Sequence, residues 1–206
     1  MLKLYYAPGT CALASHIALA EAGADYTTEK LDFKANQQNS PDYLKINPKG
    51  RVPTLVTDRG NLTETPAMLA FIAQSFPQAR LAPLDDAFAF AQIQAFNSYL
   101  CATVHVAHAH KMRGARWATE ETSFADMKRM VPKTVGACFA LIERGMLKGP
   151  WVMGDTYTIC DPYLYTLATW LEGDSVYLAT LPRVADHRER VGQRPAVQKV
   201  LAEQKV

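Results

Sequence analysis

Cys11 stands where the β-forming run Leu2–Tyr6 and the turn Ala7-Pro-Gly9 give way to an Ala- and Leu-rich segment ending at Gly23. A thiol at a helix start would face unpaired amides and the positive end of the helix dipole, and both favour the thiolate. The same position also suits a small buried hydrophobe. Val52-Pro53 lies between the turn Asn47-Pro-Lys-Gly50 and a strand, where proline cannot donate to the ladder and often takes a cis bond. That would expose the Val52 amide and carbonyl to an extended peptide ligand, although an edge-strand proline also occurs without one. Glu64-Thr65-Pro66 places an acid and a hydroxyl at a helix start, whose amides suit a carboxylate while Glu64 suits an ammonium. A ligand with both groups on one carbon would fit, and simple capping by Thr65 explains the hydroxyl equally well. Ser98, Cys101, His105, His108 and Met112 follow a 3-4-3-4 spacing that puts them on one helical stripe. If that stripe faces a cleft, His105 or His108 supplies protons or hydrogen bonds near neutral pH. Cys101, His105 and His108 make only three potential ligands on one helix with no partner acid, so no metal is expected.

These residues need elements to hold them. Leu2–Tyr6 reads as a strand, Cys11–Ala22 as a helix, Tyr26–Phe33 as a second strand, and Ser40-Pro41 as the start of a short helix. Val52–Val56 is a third strand, Leu62–Glu64 a short fourth, and a helix capped by Thr65 runs to Phe76. The order is βαβαββα. Through Pro77, Pro83 and Asp85-Asp86 the periodicity lapses, which makes 77–86 the candidate linker between an α/β domain at 1–80 and an all-α domain at 86–206. In the second part, Phe88, Ala91, Ala95, Phe96 and Tyr99 form the apolar stripe of a long helix, and further helices start near Ser123 and Thr158. Thr158-Ile-Cys-Asp161 has the pattern of a reciprocal cap and is expected to be buried.

Composition narrows the classes. The chain has 206 residues, 22 Lys+Arg against 20 Asp+Glu, and 49% apolar positions, as expected of a globular protein rather than a fibrous or disordered one. A formal charge of +2, with only the short Lys111, Arg113, Arg116 group clustered, argues against nucleic acid. No apolar run approaches the ~18 residues of a membrane span. The six residues before Ala7-Pro8-Gly9 are too few for a signal peptide, so the expected location is cytoplasmic. Cys11, Cys101, Cys138 and Cys160 are far apart, which excludes a Cys-x-x-Cys centre and a disulfide framework, and the last two are expected to be inert.

Taken together, Tyr5-Tyr-Ala-Pro-Gly-Thr-Cys11, Asn47-Pro-Lys-Gly-Arg-Val-Pro53, Leu62-Thr-Glu-Thr65 and Gly154-Asp-Thr-Tyr-Thr-Ile-Cys-Asp161 resemble the cytosolic glutathione transferases, in particular the bacterial beta class. The four motifs span nearly the whole chain in order. The resemblance implies a thioredoxin-like domain holding glutathione, a helical domain forming the wall for an electrophilic co-substrate, a cleft between them as the site, and a homodimer serving detoxification. It places Cys11 beside the glutathione sulfur, Val52 and Pro53 against its cysteinyl backbone, Glu64 and Thr65 at its γ-glutamyl end, and His105 near the co-substrate. Tyr5 or Cys11, with backbone amides, would stabilise the sulfur anion. Three positions depart from the family pattern: Ala12 replaces a hydroxyl residue after the cysteine, Val106 replaces a lysine after the histidine, and Asn36 falls where a basic residue is expected. A family asparagine on the long helix falls at Ser98 or Asn97.

The leading expectation is conjugation of reduced glutathione to small hydrophobic electrophiles. One alternative makes Cys11 the nucleophile of a glutathione-dependent thiol-disulfide oxidoreductase. The other is a non-catalytic carrier of hydrophobic ligands on the same fold.

Overall fold

Leu2–Tyr6 forms β1, with Leu4 and Tyr6 buried and Tyr5 on the half-buried side, the alternation expected of a strand carrying one core face. The structure, a computed structural model, describes residues 1–204. By backbone contacts the chain divides into one unit of residues 1–91 with 192–206 and a second of residues 92–191.

In the first unit β1 is followed by α1 (Ala12–Glu21), β2 (Tyr26–Lys30), α2 (Pro41–Ile46), β3 (Thr54–Thr57), β4 (Gly60–Thr63) and α3 (Thr65–Ser75). The sheet order is β2-β1-β3-β4, with β1 parallel to β2 and antiparallel to β3, and Tyr5 opposite Thr54. This is the expected βαβαββα pattern. The second strand ends at Lys30 rather than Phe33, because Asp32 Oδ1 accepts from the amides of Lys34 and Ala35 and turns the chain away. β3 and β4 occupy 54–57 and 60–63, a shift of one to two residues from the expected bounds. Ser40 caps α2 by accepting from Tyr43 N at 3.2 Å, and Pro41 takes the first helical position. Beyond the end of α1 and its C-cap Ala22, the chain turns at Gly23, whose φ of +63° suits glycine. Leu4, Ile17, Leu55, Met68, Leu69 and Ile72 are fully buried and form the core.

The expected cap of α3 differs. Thr65 is the first helical residue, and Glu64 occupies the cap position with φ +69° and ψ +118° and no capping bond from its side chain. A further difference concerns the last helix, α9 (Pro195–Gln204), which the sequence assigned with the rest of 86–206 to the helical domain. It packs on α1 in the first unit. Arg194 holds Glu21 through two bonds of 2.6 and 2.8 Å, and Gln204 Nε2 donates to Nδ1 of the fully buried His16 at 2.9 Å.

The second unit contains the end of α4 (Ala87–Tyr99), a π-helical turn at Leu100–Val104, α5 (His105–Ala109), α6 (Glu121–Leu141), α7 (Cys160–Ala168) and most of α8 (Pro182–Gly192). The apolar stripe expected on α4 is only partly the buried one: Phe96 is buried and Tyr99 half-buried, but the rest is not. Phe88 is 73% exposed and Ala91 and Ala95 are exposed, whereas Ile93, Phe96, Asn97 and Leu100 are buried. Alanine fits either face, and the polar Asn97 hid the true phase. Every residue of α7 is buried, which explains its continuous apolar character. Its start carries half of the expected reciprocal cap: Asp161 Oδ2 accepts from Thr158 N at 2.6 Å, but Thr158 Oγ1 accepts from Cys160 N at 3.3 Å, and Asp161 N donates to the Thr158 carbonyl instead. Among the described residues no helix is long and apolar enough to cross a membrane.

Candidate active site

In the first unit, Cys11 occupies the N-cap position of α1 and is 8% exposed. Thr10, rather than the cysteine, serves this turn: its Oγ1 donates to Ala7 O at 2.6 Å and accepts from Ala12 N at 3.4 Å. Cys11 Sγ lies 3.6 Å from Val52 O in the geometry of a thiol donating to a carbonyl. The sequence had pointed this sulfur at the helix amides as a thiolate. The contact here is with a carbonyl 41 positions away, a long-range relation no local pattern encodes.

Val52 is buried and joined to Pro53 by a cis peptide bond, as the sequence suggested. The preceding carbonyl, Arg51 O, accepts from Tyr43 Oη at 2.6 Å and from Asn47 Nδ2 at 2.8 Å. The same two side chains reach Thr54 Oγ1 at 2.8 and 3.0 Å, so both flanks of Val52-Pro53 are pinned to α2 and its following turn. Burial pushes the Tyr43 phenol up from its ordinary pKa, and its bonds with Thr54 and Asn47 oppose that rise. Tyr5 stacks at a tilt on Tyr43, with centroids 5.5 Å apart, and packs on the apolar cluster that includes Val52, Tyr43 and Ala12. The Gly50 Cα sits so close to its neighbours that a Cβ would meet Asn39 Oδ1 at 2.7 Å, and its φ is +60°. Glycine is required there.

Glu64 holds an uncommon backbone conformation for a non-glycine residue, of the kind that survives only where surroundings over-determine it. Its carbonyl accepts from Met68 N at 3.0 Å, and its Oε1 accepts from Lys49 Nζ at 2.6 Å. The sequence expected Glu64 to meet an ammonium, and here that ammonium is Lys49's. Thr65 is buried beside it. Asn36 is exposed at φ +57°, and its Oδ1 accepts from Gln38 Nε2 and Asn39 Nδ2 at 2.8 and 2.7 Å. It therefore braces the Asn39 side chain that abuts Gly50.

In the second unit the expected 3-4-3-4 stripe is interrupted. The π turn at Leu100–Val104 adds a residue to the helical repeat between Ser98 and His105, and Met112 falls beyond the end of α5, 77% exposed. Ser98 is exposed, whereas Asn97 is fully buried and its carboxamide has no hydrogen-bond partner among the described residues. His105 and His108 do stay together, with ring centroids 6.4 Å apart. Both meet Trp170: His108 stacks on it at 4.2 Å, and His105 meets its edge at 5.1 Å. His108 Nδ1 is 2.6 Å from Asp174 Oδ2, whose side chain is 1% exposed. Lys111 Nζ donates to Gly173 O and reaches Asp174 Oδ1 at 3.4 Å. No group of three or more His, Cys, Asp or Glu among the described residues could hold a metal ion. Cys160 and Cys138 are buried, and burial pushes the Cys160 thiol well above its ordinary pKa.

Reasoning from sequence missed Tyr43, Asn47, Lys49, Trp170 and Asp174. Asn47 and Lys49 lie in a turn that was legible only as a turn, and Trp170 and Asp174 carry no spacing signal.

Residues 1–74 match the family model of the glutathione S-transferase N-terminal domain, and residues 108–204 match that of the glutathione S-transferase C-terminal domain. Glutathione S-transferase GstA of Escherichia coli O157:H7 is 32% identical over 204 residues, covering 98% of each chain. A glutathione transferase homologue from Sulfitobacter, crystallised with bound glutathione, is 43% identical with a TM-score of 0.97 over 100% of this chain and 99% of that one. A bacterial beta class glutathione S-transferase from Sphingomonas chungbukensis is 29% identical with a TM-score of 0.86 over 98% of each. With both of its domain models matched and relatives aligned along nearly its full length, the chain belongs to the glutathione S-transferase family.

Proposed function

We propose that this chain is a beta-class glutathione transferase of the cytoplasm, a homodimer that conjugates reduced glutathione to small hydrophobic electrophiles in detoxification. Val52 and Pro53 pair with the cysteinyl backbone, Glu64 and Thr65 hold the γ-glutamyl end, and Asn36 and Ser98 complete the glutathione contacts. The observation that carries this reading is the Cys11 Sγ to Val52 O contact of 3.6 Å. It puts a thiol beside the backbone edge on which a peptide thiol would lie as an added strand.

In the reaction the glutathione sulfur attacks the electrophilic carbon, the leaving group departs with the bonding pair, and the thiol proton passes to solvent or a base. The chain contributes orientation and stabilisation of the sulfur anion. Cys11 and Tyr5 supply hydrogen bonds near that sulfur, and His105, held against Trp170, serves the electrophile. The test is turnover of an aryl halide with reduced glutathione, followed by absorbance. A saturable rate above the uncatalysed reaction is expected. Ligand binding unaffected by glutathione, with no turnover of any electrophile, would favour a carrier instead.

The same contact supports a second reading, in which Cys11 exchanges with oxidised glutathione, forming a mixed disulfide and releasing one reduced glutathione. Mass spectrometry of the intact chain distinguishes it, since the adduct must disappear in Cys11→Ser.

A further inference from the structure

Lys49 occupies the place proposed above for the amine of glutathione. Its Nζ is 2.6 Å from Glu64 Oε1 and 2.7 Å from Thr63 Oγ1, so one ammonium is shared between the carboxylate and the hydroxyl before it. The base of this arm is fixed. Lys49 N donates to Asn47 Oδ1 at 3.1 Å, Gly50 N donates to Asn47 O at 3.0 Å, and Asn47 itself is 1% exposed. The carboxylate end is fixed as well, by the bond from Met68 N and the constrained backbone of Glu64. Between these anchors the two side chains are about half exposed, Lys49 at 45% and Glu64 at 55%. The lysine stem has four rotatable carbons, so it can leave without any backbone movement.

A γ-glutamyl amine approaching Glu64 brings the same charge and the same donors that Lys49 already supplies. Two ammonium groups share one carboxylate only against their mutual repulsion. We propose that Lys49 is a built-in competitor in the γ-glutamyl subsite, displaced when glutathione binds, and that it lowers the affinity for ligands bearing that amine in particular. This rests on the assignment of Glu64 to the γ-glutamyl end.

The sign of the effect is diagnostic. Glutathione carries net negative charge near neutral pH, so loss of a nearby lysine would by general electrostatics weaken its binding. Competition has the opposite sign. An exposed ion pair of this kind is worth a factor of about two to five in an equilibrium constant.

The experiment is calorimetric titration of the intact chain, at low salt, with glutathione and with glutaryl-Cys-Gly, the same tripeptide without the amine. Wild type, Lys49→Met, Lys49→Gln, and each with Glu64→Gln are compared, with thermal unfolding confirming that each variant is folded. Removal of Lys49 is expected to tighten glutathione about two- to five-fold, to leave glutaryl-Cys-Gly unchanged, and to have no effect once Glu64 is Gln. Weaker or unchanged glutathione binding overturns the proposal, as does equal tightening of both ligands. The assignment of Glu64 is tested separately. If Glu64→Gln leaves glutathione affinity unchanged in the Lys49→Met background, that assignment fails. If it weakens binding there while Lys49→Met alone gives no gain, only the competition fails.

Discussion

Cys11 Sγ and Val52 O, 3.6 Å apart, tie the start of α1 to the residue before the cis proline. On the conjugation reading proposed above, Cys11 orients the ligand sulfur and need not be the nucleophile. Cys11→Ala is therefore expected to retain conjugation within about tenfold and Cys11→Ser, which keeps a donor, to stay nearer wild type, since one weak hydrogen bond is at stake. Steady-state rates with an aryl halide decide it, and loss of turnover in both variants would make the sulfur essential.

Tyr43 and Asn47 hold Arg51 O and Thr54 Oγ1 on either side of Val52-Pro53. Tyr43→Phe removes the buried hydroxyl and leaves Arg51 O to Asn47 Nδ2 and the longer 3.4 Å bond from Thr54 Oγ1, at an expected cost of about 1–2 kcal/mol in urea unfolding. If this brace positions the ligand, KM for glutathione rises with kcat little changed. An unchanged KM would show that the brace serves the fold only.

Asp161 is fully buried and accepts from Val152 N at 2.8 Å, from Thr158 N at 2.6 Å, and from the hydroxyl of Thr158 at 3.3 Å, with His187 Nε2 at 2.9 Å. Asp161→Ala strands several buried donors together, and a loss of about 3–5 kcal/mol is expected. Denaturant unfolding of Asp161→Ala beside Asp161→Asn, which keeps one acceptor oxygen, measures it, and the amide variant should lose less.

His16 is a pH-sensitive point in the packing of α9 on α1. Burial lowers its pKa from the ordinary value of 6.5, against a smaller opposing pull from Glu203. Its Nδ1 accepts from Gln204, and its Nε2 faces Glu203 at 3.2 Å, an arrangement that suits the neutral ring. The sign follows from linkage: above the unfolded pKa both states carry a neutral ring, and below it the unfolded chain takes up a proton that the native chain resists. Stability is then lost as pH falls below about 6.5, by at most about 1.4 kcal/mol per pH unit, and levels off below the native pKa. Urea unfolding from pH 7.5 to 5 should show a steeper decline in wild type than in His16→Gln. Parallel profiles would remove His16 as the cause.

Much of the α/β unit is legible from sequence because turn and cap residues mark its joints: Ala7-Pro-Gly9 separates β1 from α1, and Ser40-Pro41 and Thr65-Pro66 each fall within a residue of a helix start. Cys11 at a helix start and Val52 before a cis proline are legible for the same local reason. What its sulfur touches is not, since Val52 comes close only after the sheet forms. The helical unit reads less well. Alanines on α4 fit both faces, and the π turn at Leu100–Val104 breaks the count that seemed to align Ser98 with His105. Trp170 and Asp174 reach His108 from more than sixty residues away, a distance over which spacing carries no information.

The central claim is that the edge formed by Val52, with Glu64 and Thr65, binds glutathione. Calorimetric titration of the wild-type chain with reduced glutathione tests it before any electrophile has to be chosen. Saturable heat at one site per chain is the expected result. Absence of heat at millimolar glutathione, repeated at a second temperature so that a vanishing enthalpy cannot hide binding, would contradict it.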